Sequence, residues 1–434
     1  MALVILPCDL PHWYSLQKEL TLLLTATTPK QLIDGMLKIH NMCKYVRNRF
    51  STSTGLDPDE PEKTDPTIFH KLENFVTGLS PEEQNHFFNH TLRIMAKRAL
   101  DLKKQKPPNG FHFSLQQQAD KMEYRRSFLA SLLSHSFFST FPKRTVKTHP
   151  TLQDVNFTHF FKHLDQPIQR AKLQSFFHYF DLIGESDTDQ PDCVSFSRQV
   201  MSGKQWLTIE DWLDSCLPLC PITVRNEGRI EEAETQCLRI CFSSSRIGGT
   251  VLCEGSSQEC TEFCTVPELI CILASVEALE DNEVLIVKDA YQVTKIVSPR
   301  EKTYIEKFDK PNKVSICCMD PENYTRLPLS QLEEDNLLRE LNKALLGFRQ
   351  GVIVPQQNTP KSTKSATVQR RLSPIGESFS STPEQSPINV SIFSSSQSYI
   401  MSILHQIFVK LPKQHLADNL LSGRKLHSLT STCN

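Results

Sequence analysis

The period of the hydrophobic pattern changes near residue 150, and that change limits this chain to an α-helical region joined to an α/β region. Before it, apolar positions recur at helical spacing. Pro29 to Val46 places Leu32, Ile33, Met36, Leu37, Ile39 and Cys43 on one broad face. Ser80-Pro81-Glu82-Glu83 reads as a capping box with proline at the first helical position, opening a helix that turns Phe87, Phe88, Leu92, Ile94, Met95 and Leu100 inward. A further helix is predicted over Tyr124 to Phe138. After about Pro150, short apolar runs alternate with helical patterns. Strands are predicted at Gln236 to Phe242, Val284 to Val287 and Val314 to Met319, and helices at Pro267 to Leu279 and Leu332 to Phe348. Such alternation predicts an α/β layer structure.

Composition narrows the function classes. A chain of 434 residues has room for two or three domains and a sizeable core. Its formal net charge of -1 gives no global field that selects nucleic acid or an anionic membrane, so neither is expected as a direct partner. No apolar run reaches the ~18–20 residues of a membrane span. The start, Met1 to Pro7, lacks a basic n-region and a small-residue cleavage site. The 14 cysteines, with no C-x-x-C pair, predict reduced thiols in a reducing compartment, not a disulfide framework or a metal site. Cys237 and Cys241 read as small core hydrophobes on one face of a strand. No cofactor is expected.

From Val354 to Ser396 the chain is rich in serine, threonine, proline and glutamine. It has too few large apolar residues to offset its ordering entropy, and disorder is predicted. Thr359-Pro360, Ser373-Pro374, Thr382-Pro383 and Ser386-Pro387 would be accessible to kinases there; a serine-rich linker also contains such dipeptides by chance. Tyr399 to Leu411 returns as a short amphipathic helix.

Between these regions, Ile247 to Cys260 reads I-G-G-T-V-L-C-E-G-S-S-Q-E-C, a glycine-containing loop closing on Gln258-Glu259-Cys260. Other segments accompany it in order. These are Ser127 to Leu133 with Ser136 to Arg144, Asp154 to Phe157, Lys172-Leu173 with Phe177 to Phe180, and Val194 to Gln199. Glu227 to Glu232, Pro267 to Ile270 and Arg339 to Ala344 follow. The ordered set, from about Ser114 to Phe348, resembles the poly(ADP-ribose) glycohydrolase family. That resemblance implies a macrodomain-like mixed sheet between helices, an α/β fold with an N-terminal all-α accessory region. The chain then divides into a helical accessory region (1–145), a macrodomain-like region (146–350), a disordered segment (351–396), a short helical segment (397–422) and a tail (423–434). No segment after Phe348 resembles the family's second glycine-rich phosphate loop. The macrodomain is therefore expected to be incomplete on its C-terminal side, and the Tyr399 to Leu411 helix, a partner protein or nothing at all completes it.

The family's chemistry needs a carboxylic acid. Cleaving a ribose–ribose bond requires protonation of the leaving oxygen and deprotonation of an incoming water. In the family this loop ends Gln-Glu-Glu, and the last glutamate moves those protons. Here Cys260 stands at that position. A thiol, with its ordinary pKa near ~8.5, is a poor acid for this step. Losing general acid–base help costs ~10²–10⁴ in rate, or roughly 3–5 kcal/mol of barrier. Further departures are Thr250 for the third glycine, Cys241 and Ser244 where an aspartate and an asparagine are usual, and Pro299 where a tyrosine is expected. Ile230 and Glu231 match the pair that contacts adenine in the family. Gly248, Gly249, Gln258 and Glu259 also match; the glycines equally read as turn formers and Glu231 as a solvated acid.

Three readings follow. The first is a catalytically inactive member that acts by recognising ADP-ribose or poly(ADP-ribose), or through protein contacts, with Ile230, Glu231, Gly248, Gly249 and Gln258 as substrate-binding residues. The second is an active glycohydrolase using Glu259 as the residual acid/base, with Glu254 and Glu262 as further candidates. The third is a scaffold that binds no nucleotide. Cys260 as a nucleophile lacks a histidine that the sequence places beside it, although His12, His135, His159, His163 and His178 lie upstream. A buried, unreactive thiol is expected. The family resemblance implies a nuclear or cytoplasmic location.

Overall fold

Ser80 and Glu83 form the capping box that the sequence predicts. Ser80 Oγ accepts from Glu83 N at 3.2 Å, and Glu83 Oε2 accepts from Ser80 N at 2.9 Å. The helix Pro81–His86 then runs through a π-helical turn, Phe87–Thr91, into Leu92–Leu100. The computed structural model describes residues 2–53, 65–184, 192–216, 222–225, 230–233, 237–297, 303–349 and 390–393. The chain divides into two units: Met1–Trp212 with Glu231–Gly347, and Leu213–Ile230 with Phe348–Asn434.

In the first unit the helices Trp13–Leu23, Pro29–Ser53, His70–Thr77, Arg126–Phe137 and Pro167–Ile183 share one apolar core with the sheet. Its aromatic centre is Phe137, whose ring meets those of Phe138, Phe157, Phe161, Phe176 and Phe177 at 5.4–6.2 Å. The helix expected from Tyr124 starts at Arg126 instead. Met122–Arg125 is the edge strand β1, paired antiparallel with β2 (Cys193–Val200), and Arg126 N donates to Asp192 O. A partner strand nearly 70 residues away fixed this boundary, which local periodicity does not register.

The remaining strands are β3 (Ile222–Arg225), β4 (Leu238–Phe242), β5 (Glu283–Val297), β6 (Tyr304–Met319) and β7 (Val390–Phe393). The first unit's sheet has the order β1-β2-β5-β6-β4. It is mixed: β4 pairs parallel with β6, and the other pairings are antiparallel. β5 and β6 run far beyond the apolar cores visible in sequence: exposed Lys288 and Asp289 interrupt β5 before its mostly buried second half, and the first half of β6 carries exposed charges such as Glu306 and Lys310. The predicted helix Pro267 to Leu279 is a 3₁₀ segment ending at Ala274. Beyond it Val276 bridges to Ser114, and Glu277 N donates to Ser114 O.

In the second unit β3 pairs parallel with β7. β7 lies inside the stretch expected to be disordered. Three of its four residues, Val390, Ile392 and Phe393, are β-prone, and the serine-rich average around them masks that. The rest of that stretch, the Tyr399 to Leu411 helix and the tail lie outside the described residues. Among the described residues, no helix is long and apolar enough to cross a membrane.

Buried polar groups hold the first unit in register. Arg198 and Glu283, both without exposed surface, pair across β2 and β5, and Arg198 also bonds Ser114 and the Glu277 carbonyl. Removing one partner of such a pair costs about 3–5 kcal/mol. Arg126 bridges Glu268 and Asp192, and Tyr179 donates to Glu268 at 3.0 Å.

His135 is wholly buried. Its Nε2 donates to Ala99 O at 2.9 Å and its Nδ1 faces Thr140 Oγ1 at 2.7 Å. Burial lowers its pKa from 6.5 to about 4. A histidine with a depressed folded pKa contributes stability that is present above 6.5 and lost as pH falls toward 4. Buried Glu259 and Glu268 and half-buried Glu340, raised by desolvation, act in the opposite sense there, and His149 in the same sense. The clean readout is therefore a difference between proteins. Chemical denaturation from pH 7 to pH 4 is expected to show the wild type losing ~3 kcal/mol more than His135→Gln. Parallel profiles for the two proteins would refute that assignment.

Candidate functional site

The loop after β4 ends at the helix Gln258–Thr265. Ser257 caps this helix, its Oγ accepting from Cys260 N at 3.2 Å. The cap places Gln258, Glu259 and Cys260 in the first turn, where a carboxylate is favoured by the helix dipole. Their side chains take three different directions, and each is held.

Glu259 turns back into the loop. Its Oε1 accepts from Gly248 N at 2.6 Å and from Ser244 N at 3.1 Å, and its Oε2 accepts from Ser244 Oγ at 3.0 Å. The residue is 4% exposed. Burial raises its pKa, and the three donors oppose that rise. Gly248 and Gly249 have φ of +92° and +41°, the left-handed region that favours glycine. A Cβ on Gly249 would also sit 2.9 Å from Glu259 Oε2 and 2.5 Å from Ser244 Oγ. The matching glycines thus let the backbone wrap the carboxylate.

Gln258 serves the sheet. Its Nε2 donates to Ile240 O at 2.7 Å and its Oε1 accepts from Phe242 N at 3.1 Å, satisfying two backbone groups of β4, the last strand in the sheet order.

Cys260 has no exposed surface. Its Sγ lies 3.4 Å from Thr250 Oγ1. The two departures read from sequence, threonine for a glycine and cysteine for an acid, therefore touch one another. Gly255 packs on the same spot: a Cβ there would be 3.1 Å from Cys260 Sγ and 2.9 Å from Thr250 Oγ1. From beneath, the helix Pro167–Ile183 fixes this turn. Buried Lys172 Nζ donates to Gly255 O, Gln169 Nε2 to Cys253 O at 2.6 Å and Ser175 Oγ to Cys264 O at 2.7 Å. Sequence reasoning quoted Lys172 without assigning it a task, and missed Gln169 and Ser175; a polar residue every three or four positions on an apolar helix was the available signal.

The other candidates are engaged elsewhere or lie apart. Glu254 is exposed and meets Gln166 at 3.1 Å and His163 at 3.3 Å. Glu262 is buried and faces Arg239 at 3.8 Å. His135 is held by Thr140 and Ala99, and His178 Nε2 by Phe308 O. Cys241 is buried in β4 opposite Cys318 of β6, and that neighbour together with burial pushes its thiol pKa up. Ile230 belongs to the second unit. Glu231 lies in the 3₁₀ turn Ile230–Glu232, its side chain outside the description; Pro299 lies outside the described residues. Beside the glycines is a cavity of about 60 Å³ lined by Gln153, Asp154, Asn156, His159, Gly248, Gly249, Leu252, Cys253 and Leu273. Small-molecule sites span roughly 300–1,000 Å³.

This arrangement makes Glu259 a fastener of the loop. Glu259→Ala leaves the Gly248 and Ser244 amides without their acceptor and is expected to lower the unfolding free energy by about 2–3 kcal/mol. Glu254→Ala, at an exposed site, should stay within about 0.5 kcal/mol of wild type. Urea denaturation compares the two; equal stabilities would remove Glu259 from this role.

Residues 79–198 match the family described as "Poly (ADP-ribose) glycohydrolase (PARG), helical domain", and residues 209–367 match "Poly (ADP-ribose) glycohydrolase (PARG), Macro domain fold". The first unit's mixed sheet with its helices is thus a macrodomain-type α/β fold preceded by a helical domain. Among curated proteins, the chain is similar to "Probable poly(ADP-ribose) glycohydrolase 2" of Arabidopsis thaliana, 25% identical over 313 residues, which covers 63% of this chain and 58% of that protein. It is 28% identical over 253 residues to "Poly(ADP-ribose) glycohydrolase 1" of the same plant, covering 55% and 44%. It is also 27% identical over 199 residues to "Poly(ADP-ribose) glycohydrolase 2" of Caenorhabditis elegans, covering 41% and 40%. The chain therefore spans between 40% and 58% of the length of these relatives.

Proposed function

We propose that this chain, which belongs to the poly(ADP-ribose) glycohydrolase family, is a glycohydrolase-like protein that recognises a ligand of the ADP-ribose class without hydrolysing it. One observation carries the reading. The loop's surviving glutamate, Glu259, has both oxygens committed to Ser244 and Gly248, while the adjoining Cys260 is sealed against Thr250. A general acid must reach the bond it protonates to within hydrogen-bonding distance. Releasing Glu259 for that task would strip three donors of their acceptor, and Glu254 and Glu262 point to other partners.

The ligand class rests on the family and on the relatives, each named as a poly(ADP-ribose) glycohydrolase. The Gly248 and Gly249 amides are already taken, by Glu259 Oε1 and Arg246 O, so a diphosphate would have to draw on other donors of the loop. A second reading, a protein-contact module that takes no nucleotide, is favoured by the volume of about 60 Å³ beside those glycines, too small for a nucleotide diphosphate. A partner that completes the macrodomain belongs to that reading. A nuclear or cytoplasmic location is part of the proposal and rests on the family alone.

Purified protein incubated with labelled poly(ADP-ribose) is expected to release no ADP-ribose above the uncatalysed background. Turnover that Glu259→Gln abolishes would overturn the proposal. Titration with ADP-ribose by calorimetry separates the two inactive readings: heat and a thermal shift support recognition, and their absence leaves protein contacts. Cys260→Glu is expected to leave turnover at background and to lower stability by about 1–3 kcal/mol, because the larger side chain enters a filled site. Restored hydrolysis in that variant would mean that the site lacks only its acid.

A further inference from the structure

On the opposite side of the helix that braces the loop, two imidazoles and a carboxylate converge. His86 and His90 are four residues apart, and Asp181 lies on the helix Pro167–Ile183. Residues at this spacing share a helix face. One ligand atom from each of the three lies within 4.8 Å of the others. His86 Nε2 is 3.2 Å from Asp181 Oδ2, and the two rings are 5.0 Å apart. Thr91 Oγ1 donates to Asp181 Oδ1 at 2.6 Å, which fixes the carboxylate and leaves Oδ2 toward the histidines. Such an orienting bond on a ligating carboxylate is typical of metal sites. His90 and Thr91 both lie in the π-helical turn Phe87–Thr91. Turns of this kind are uncommon and appear often at functional positions.

We propose that His86, His90 and Asp181 bind a zinc(II) ion. Two imidazoles and one carboxylate suit a borderline divalent cation, and zinc takes three protein ligands with water in the fourth position. The 4.8 Å envelope closes to metal–ligand distances near ~2.1 Å by rotation of two exposed histidine side chains. The ion would tie the helix run Pro81–Leu100 to the C-terminal turn of Pro167–Ile183. That second helix carries Gln169, Lys172 and Ser175, so zinc would stiffen the support of the glycine loop without entering it. The site stands independently of any reading of the loop's function.

Calorimetric titration of Zn²⁺ into the full chain tests this, with His90→Ala and the double variant His86→Ala/His90→Ala beside the wild type. One equivalent should bind the wild type and raise its melting temperature. Each variant should bind that equivalent at least about tenfold more weakly. Both rings are exposed, so the metal-free variants should melt as the wild type does. Equal affinity in wild type and variants, as thiols elsewhere would give, overturns the proposal, and so does the absence of a binding heat.

Discussion

The loop's shape depends on one buried carboxylate. Glu259 gathers Ser244 N, Ser244 Oγ and Gly248 N, and the two glycines adopt left-handed backbone so that the chain can close around it. Placing a carboxylate at 4% exposure carries a desolvation penalty, expressed in its raised pKa. Three donors and the start of a helix offset that penalty. In that position both of its oxygens are already engaged. The neighbouring Cys260 is buried, and its thiol packs against Thr250.

The segments that reveal the lineage are largely segments whose polar residues hold the scaffold. Arg198 pairs with Glu283, Glu268 with Arg126, and Lys172 carries the Gly255 carbonyl. Asn156 accepts from Phe141 N and donates to Phe141 O. Asn342 bonds both backbone groups of Leu207, while Arg339 and Lys343 converge on Asp320. Loss of one member from any such buried network leaves a charge or an amide unpaired. The thiol of Cys260 carries no comparable network: it packs against Thr250, and no buried charge depends on it.

Much of this was legible in sequence. Helical periodicity, the Ser80–Glu83 capping box and the apolar cores of β4, β5 and β6 read directly, because each depends on residues a few positions apart. The edge strand β1 was hidden because its partner β2 is distant in sequence; the outer halves of β5 and β6, which pair with each other from Val297 opposite Tyr304, were hidden because charged and polar residues interrupt their apolar pattern. The loop's residues were identified as a set, but not their directions. Nothing in Gln258-Glu259-Cys260 says that the first braces β4, the second closes the loop and the third meets Thr250. Those directions come from Ser257 fixing the helix start and from the helix Pro167–Ile183 pressing on Gly255.

Whether Glu259 is a fastener or an available acid is decided most directly by hydrogen–deuterium exchange at its donors, followed residue by residue by NMR. The account predicts that the Gly248 and Ser244 amides are strongly protected in the wild type, although they lie in a loop, and that both lose protection in Glu259→Ala, which removes their acceptor, while the amides of β5 keep theirs. Fast exchange of the Gly248 and Ser244 amides in the wild type would contradict it, and would return Glu259 to the pool of groups free to act on a substrate.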